Sequence, residues 1–228
     1  MKKTIPHIVY FLLFAIHMYS VSEDLQSLRM ATKPLICVVL IAYLFQATRL
    51  KSTFQKLVAV GLAFGLIGDI FLMLPNKFLF GLGAFLIGHI CYVVAFYKQV
   101  YFIQLNKHKI RLLIALILSL YSYNFYNLLS PSLGIEKYPV ILYIFVIAMM
   151  GYFAFLRKYQ TNLWSFLAIM IGAVLFIISD SILAANKFVA YIANSGLIIM
   201  GTYMLAQYGI TLGTVLDNSR KAIPSSIK

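Results

Sequence analysis

The sequence predicts an all-α fold, a polytopic membrane bundle of eight transmembrane helices, and three observations carry that reading. The 228 residues are 62% hydrophobic and 11% charged, with a mean hydropathy of +0.91; an ordinary globular domain is about half apolar and a quarter charged. Apolar runs of about 17–25 residues, the length a helix needs to span a hydrocarbon core of about 30 Å, recur through the chain. The intervals between them are brief and hold most of the charge, which leaves no room for a separate soluble domain.

The first run, near 5–22, follows Met1-Lys2-Lys3 and ends at Ser20-Val21-Ser22, so it also fits a secretory leader with a small-residue cleavage site. We read it as a retained helix, because its loss leaves an odd number of spans and breaks the repeat described below. The second run, near 34–48, is short and extends into its flanks, with Lys33-Pro34-Leu35 at its opening. Spans near 55–75 and 78–97 follow, joined by a tight turn at Asn76-Lys77. Runs near 110–129, 138–156, 162–185 and 188–214 complete one domain over 1–216, followed by a short polar tail over 217–228. Cys37 and Cys91 fall inside these helices and read as buried thiols, with no disulfide framework.

A net charge of +13 raises the question of nucleic acid, and the distribution of the charge answers it. With the N-terminus inside, the inward face collects Lys2, Lys3, Arg49, Lys51, Lys56, Lys98, Lys107, Lys109, Arg111, Arg157, Lys158, Arg220, Lys221 and Lys228, which is 14 of 19 basic residues. The outward face keeps Arg29, Lys33, Lys77, Lys137 and Lys187, with Glu23, Asp24 and Glu136 beside them. This is the positive-inside pattern for an integral, multi-pass protein with both termini cytoplasmic, in a bacterial inner membrane or a eukaryotic endomembrane. The basic excess reports topology, and no nucleic-acid partner is implied.

Two aspartates lie inside apolar stretches, Asp69 in GLAFGLIGDIFLML and Asp180 in GAVLFIISDSILA. A carboxylate at bilayer depth costs several kcal/mol, about 3 on insertion scales, unless it faces a polar cavity, so each is a candidate functional residue. Their surroundings repeat. Gly68-Asp69-Ile70-Phe71-Leu72 followed by Asn76-Lys77-Phe78 aligns with Ser179-Asp180-Ser181-Ile182-Leu183 followed by Asn186-Lys187-Phe188, each read as a helix end, a tight outward turn and the next helix. The third and seventh helices then run in the same direction, which suggests two four-helix halves related by a pseudo-twofold along the membrane normal.

Counting about 1.5 Å per residue from the outward lysines puts both carboxyls roughly 10–12 Å below those anchors. The same count places Tyr143 and Asn194 near that layer, and Asn124, 13 residues after Arg111 as Asp69 is 13 after Lys56, joins them, as walls of a common cavity or as interhelical hydrogen bonds that only hold the bundle. His89 lies deeper, with Tyr92 on the same helical face. A zinc site needs three or four converging ligands, and the other histidines are His7, His17 and His108, so no metal and no cofactor is expected.

Beyond these residues the chain resembles the lysoplasmalogenase, or YhhN-like, family of integral membrane proteins. The resemblance rests on Lys33-Pro34-Leu35, Gly68-Asp69 with Leu72, Phe78, Gly81, Phe85, His89 and Tyr92, the run Gly172–Ala184 containing Leu-Phe-x-x-Ser-Asp-Ser-x-Leu-Ala, and Thr202-Tyr203 with Ala206-Gln207. It implies an eight-helix hydrolase that cleaves the vinyl ether of lysoplasmalogens to a fatty aldehyde and a glycerophospho-headgroup. Asp69 and Asp180 are the implied catalytic pair. Lys33, His89, Tyr92, Asn124, Tyr143, Asn194, Tyr203 and Gln207 are the expected substrate-binding residues, with a lysophospholipid as substrate and membrane lipids around it.

The chemistry suits those residue types. Protonation of a vinyl ether at its β-carbon gives an oxocarbenium ion; water captures it as a hemiacetal, which collapses to aldehyde and alcohol. A proton donor and a carboxylate suffice for these steps. In a low-dielectric cavity, burial and mutual repulsion disfavour two full negative charges, leaving one acid protonated beside one ionised. The residues flanking Asp69 offer no side-chain hydrogen bond, which favours it as the acid, and Ser179 and Ser181 favour Asp180 as the base; the reverse assignment uses the same pair. A proton-coupled transporter or lysolipid carrier is the competing reading of the same acids. An intramembrane aspartyl protease fits poorly, since its Gly-x-Gly-Asp and Pro-Ala-Leu signatures are not met.

Overall fold

The computed structural model describes residues 4–100 and 108–217. Eight long helices follow in order: α1 (Ile5–Ser22), α2 (Gln26–Thr48), α3 (Thr53–Met73), α4 (Phe78–Tyr97), α5 (His108–Leu129), α6 (Lys137–Leu156), α7 (Leu163–Phe188) and α8 (Ser195–Val215). The all-α reading holds. Most of the tail expected at 217–228, with the basic residues at 2, 3, 107, 220, 221 and 228, lies outside the described residues.

Seven of these helices, α1 to α7, are long and apolar enough to cross a membrane. The eighth is as long but more polar, because Thr202, Tyr203, Gln207, Tyr208, Thr211 and Thr214 interrupt it. Its polarity is spent inward: Tyr203, Gln207, Thr211 and Thr214 are buried, and α8 packs on α7, α2, α1 and α3. A central helix can carry such residues where a lipid-facing one cannot. By contrast α5 lies at the margin, its span only 6% buried, with Leu112, Leu116 and Leu120 all exposed as a lipid-facing surface demands.

Local chemistry sets the helix ends. Ser52 accepts from the Gln55 amide while the Gln55 side chain accepts from the Ser52 amide, a capping box that starts α3. Asn162 accepts from the Ser165 amide and starts α7. Leu74 is extended before Pro75, which stops α3 at Met73. At α2 the structure extends the expected span: the helix begins at Gln26 and runs through Pro34, since backbone polar groups in an apolar medium are best paired within a helix. Lys33 therefore sits two turns inside α2 and does not open it.

The second copy of the repeat also departs from expectation. In place of Pro75 it has Ala184-Ala185, good helix formers, and α7 continues through Asn186, Lys187 and Phe188. The turn shifts to 189–194, and α8 starts at Ser195 rather than near 188. The most extensive helix pairings are nevertheless α3 with α4 and α7 with α8, the corresponding pairs of the two halves. At their ends the rings of Phe78 and Phe188 meet edge to face at 5.8 Å.

The α7–α8 contact is backbone against backbone. A Cβ on Gly172 would lie 2.8 Å from Ala206 O, and one on Gly209 would lie 2.8 Å from Ala168 O, so these glycines permit the close approach that small residues provide between membrane helices. At the end of the bundle opposite Phe78, Arg157 is fully buried rather than a solvated loop charge. It donates to Ser165 Oγ at 3.0 Å, lies 3.9 Å from Asp217 Oδ1 and stacks over Phe54 at 5.0 Å, tying α3, α6, α7 and the end of α8 together.

Candidate active site

Asp69 occupies the last turn but one of α3 and is buried. Tyr203 Oη donates to its Oδ2 at 2.7 Å, and Lys33 Nζ stands 3.7 Å from Oδ1. Cys37, one turn beyond Lys33 on α2, brings its sulfur 3.9 Å from Oδ2 and 3.4 Å from Tyr203 Oη. The network continues along α8: Tyr92 Oη donates to Gln207 Oε1 at 2.7 Å, and Gln207 Nε2 donates to Tyr203 Oη at 3.3 Å. Every donation points toward Asp69. Gly65 makes the space, since a Cβ there would stand 2.8 Å from Gln207 Nε2.

Asp180 sits differently. Tyr143 Oη, from α6, donates to its Oδ2 at 2.5 Å, and His89 Nε2, from α4, lies 3.8 Å from the same oxygen. Among the described residues no lysine or arginine comes within ion-pair distance of it. The serines beside Asp180 turn away: Ser179 Oγ donates to Ile199 O at 3.0 Å, and Ser181 Oγ donates to Ile177 O while meeting Tyr121 Oη at 2.7 Å. His89 is held by ring edges, 4.5 Å from Phe176 and 5.4 Å from Tyr143 between centroids. Phe176 also packs against Tyr203 at 5.5 Å, so one aromatic ring separates the two carboxylate clusters.

Asp180 lines a narrow, mostly apolar slot bounded by α3, α4, α5, α6 and α7. Leu72, Phe85, Phe125, Val140, Ile144 and Leu183 form much of its wall, and its polar groups are Tyr121, Tyr143, Asp180 and Ser181. An apolar cleft with a few polar groups on its wall is the usual form of a ligand site.

Of the residues singled out in the sequence, the structure gathers Lys33, Tyr92, Tyr203 and Gln207 around Asp69, and His89 and Tyr143 around Asp180. Two are not brought in. Asn124 is exposed on α5, its Nδ2 donating to Leu120 O of its own helix at 2.8 Å. Asn194 is exposed in the loop after α7, where its left-handed backbone, φ 56°, precedes α8. Counting from Lys187 set it in the helix because the count assumed that the turn came earlier. Cys37 and Tyr121 were not foreseen. Cys37 had a signal, its i+4 spacing from Lys33 on one helical face; Tyr121 had none, because nothing local says which face of α5 meets α7.

Fold and site together define an all-helical membrane protein with two carboxylate clusters, one around buried Asp69 and one around partly buried Asp180, divided by an aromatic ring. The chain belongs to the YhhN family, whose model matches residues 28–214. It is 36% identical over 162 residues to human lysoplasmalogenase TMEM86A, covering 68% of this chain and 64% of the relative. It is 33% identical to the bovine protein of that name, again over 68% and 64%. Rat lysoplasmalogenase TMEM86B is 30% identical over 189 residues, 80% of this chain and 70% of the relative. The chain thus spans a little under two thirds of the length of the human and bovine relatives. No solved structure matches.

Proposed function

We propose that this protein is a membrane hydrolase that cleaves the vinyl ether of lysoplasmalogens, using Asp180 as the proton donor and Asp69 as the carboxylate that activates water and steadies the cationic intermediate. The observation that carries the reading is the unlike setting of two carboxyls within one core. Asp69 is addressed only by donors, one of them the Lys33 ammonium, the setting of a carboxylate used as an anion. Asp180 has a tyrosine, an uncharged slot and no lysine or arginine, the setting of an acid able to keep and give a proton. This reverses the division of labour that the flanking serines suggest in the sequence. The names of the human and rat relatives support the substrate class.

In this scheme the alkenyl tail lies in the slot, so the β-carbon of the vinyl ether reaches Asp180 from the apolar side. Proton transfer to that carbon breaks the C=C π bond and leaves the positive charge shared with the ether oxygen. Water adds at the α-carbon and gives its proton to the Asp69 side, and the hemiacetal then expels the glycerol hydroxyl as aldehyde forms. Tyr143 holds Asp180 by its hydrogen bond, and His89 stands 3.8 Å from the same oxygen. The charge distribution further supports both termini on the cytoplasmic side, with the carboxylates nearer the outer face. Purified protein in detergent should release fatty aldehyde from a vinyl-ether lysolipid, and a preparation that takes up lysolipid in vesicles but forms no aldehyde would establish the carrier instead.

A further inference from the structure

A second pocket opens beside the Asp69 cluster, at the end of the bundle where α1 meets α2 and α7 gives way to α8. His17, Gln26, Arg29, Lys33, Leu72 and Gly196 lie on its wall. It is basic: two cations face it, and none of its lining residues is an acid. Their counterions stand behind them, Asp24 at 2.8 Å from Arg29 and Asp69 at 3.7 Å from Lys33. The arginine fork keeps further N–H donors beyond the one engaged with Asp24.

His17 is the unexplained member, being 1% exposed and yet without a partner at Nε2. Its other nitrogen meets Thr32. When Thr32 Oγ1 gives its single proton to Leu28 O at 2.7 Å, it accepts at 2.7 Å from His17 Nδ1. Nδ1 then carries the ring proton, and neutral His17 presents a lone pair at Nε2. A buried, unsatisfied acceptor of this kind is costly, by about 1–3 kcal/mol, unless a donor arrives.

Leu72 connects this pocket to the rest of the site, because it lines both the basic pocket and the slot that Asp180 also lines. A molecule with an alkyl tail, a hydroxyl-bearing linker and an anion fits that order of surfaces. We propose that the pocket binds the headgroup of a lysolipid, with Arg29 and Lys33 holding the phosphate and His17 Nε2 accepting from the free glycerol hydroxyl. This rests on the lysolipid reading above and makes the free glycerol hydroxyl a recognised group, because an esterified hydroxyl has no proton to give His17.

The test is direct binding of a saturated 1-O-alkyl lysophosphocholine, which cannot be cleaved, to the purified protein in detergent. The partners are the same lipid methylated at the free hydroxyl, a 1-O-alkylglycerol without phosphate, and inorganic phosphate as competitor. Wild type should prefer the free hydroxyl by about tenfold, a hydrogen bond's worth; His17→Phe should abolish the preference, and His17→Gln, which keeps an acceptor, should restore part of it. Arg29→Gln, a change at a partly exposed side chain that leaves folding intact, should weaken the phospholipid about tenfold and leave the alkylglycerol within about twofold. Equal loss for both ligands on Arg29→Gln, or no hydroxyl preference in wild type, overturns the assignment, and displacement by millimolar inorganic phosphate alone would overturn the lipid in favour of a free anion. Because the probe is not hydrolysed, headgroup binding without aldehyde release in a parallel assay would sink only the hydrolase reading.

Discussion

The two copies of the repeat each place an aspartate toward the end of a long helix, four residues before the end of α3 and eight before the end of α7, and then surround it with opposite chemistry. Asp69 on α3 meets Lys33, Tyr203 and Cys37, whereas Asp180 on α7 meets Tyr143 and His89 and opens to an apolar slot. None of these partners except the shared helix geometry is encoded by the repeat. The lesson is that a duplicated motif fixes where a carboxyl sits, while the helices packed against it decide what the carboxyl can do. In this protein those helices are α2 and α8 on one side and α4 and α6 on the other.

The comparison breaks most sharply if either acid proves dispensable. Asp69→Asn and Asp180→Asn should each lower aldehyde release by about a thousandfold or more, since positioned acid and base groups each contribute roughly 10²–10⁴. They should differ in stability. Asp69→Asn strands Lys33 in a site where its side chain is 15% exposed, and removing one partner of a buried pair costs about 3–5 kcal/mol. Asp180→Asn strands no lysine or arginine, so its thermal unfolding in detergent should match wild type more closely. Equal stability of the two variants would show that the Lys33 pair contributes nothing.

Lys33→Met should reduce kcat by about ten- to a hundredfold through the loss of the cation at Asp69, and combining it with Asp69→Asn should recover much of the stability lost in the single acid variant, because an apolar replacement of a whole buried pair is often neutral. A double variant no better than Asp69→Asn would argue against direct coupling.

The tyrosines sharpen the contrast further. Tyr143→Phe removes the O–H donor of Asp180, and about ten- to a hundredfold in kcat should follow, because this hydrogen bond becomes charge-assisted, worth roughly 1.5–3 kcal/mol, as Asp180 gives up its proton. Tyr203→Phe should cost less, since Lys33 and Cys37 still face Asp69. The reverse order, measured as kcat on one substrate, would mean that the relay from Tyr92 through Gln207 matters more than the immediate donor count. The smallest effects should come from Asn124→Leu and Asn194→Ala, within about twofold in activity, because both side chains lie outside the clusters; a larger loss in either would return it to the site.

Much of this was legible in the chain. Composition and apolar run length determined the helical membrane class, and the two acids in apolar surroundings marked the candidate site before any contact was known, because water-poor surroundings make a carboxyl conspicuous. Spacing on single helices was readable as well: Tyr203 with Gln207 and His89 with Tyr92 share faces by helical periodicity. Spacing across a turn was not. Asn194 was misplaced because Ala184-Ala185 carried α7 past the point where Pro75 stops α3, and one shifted turn moves every later residue off the expected layer.

What the sequence by itself determined is the set of elements and the identity of the buried acids, since both depend on local hydrophobicity and on the cost of a charge away from water. Only the tertiary structure decided that Lys33 pairs with Asp69 rather than opening a helix at the surface, that Ser179 and Ser181 bond backbone carbonyls rather than Asp180, and that Leu72 stands between a basic pocket and an apolar slot. These depend on which helix faces meet. That choice is made by backbone approach at glycines such as Gly172 and Gly209 and by the satisfaction of buried polar groups across the whole bundle, neither of which is a property of any one stretch of chain.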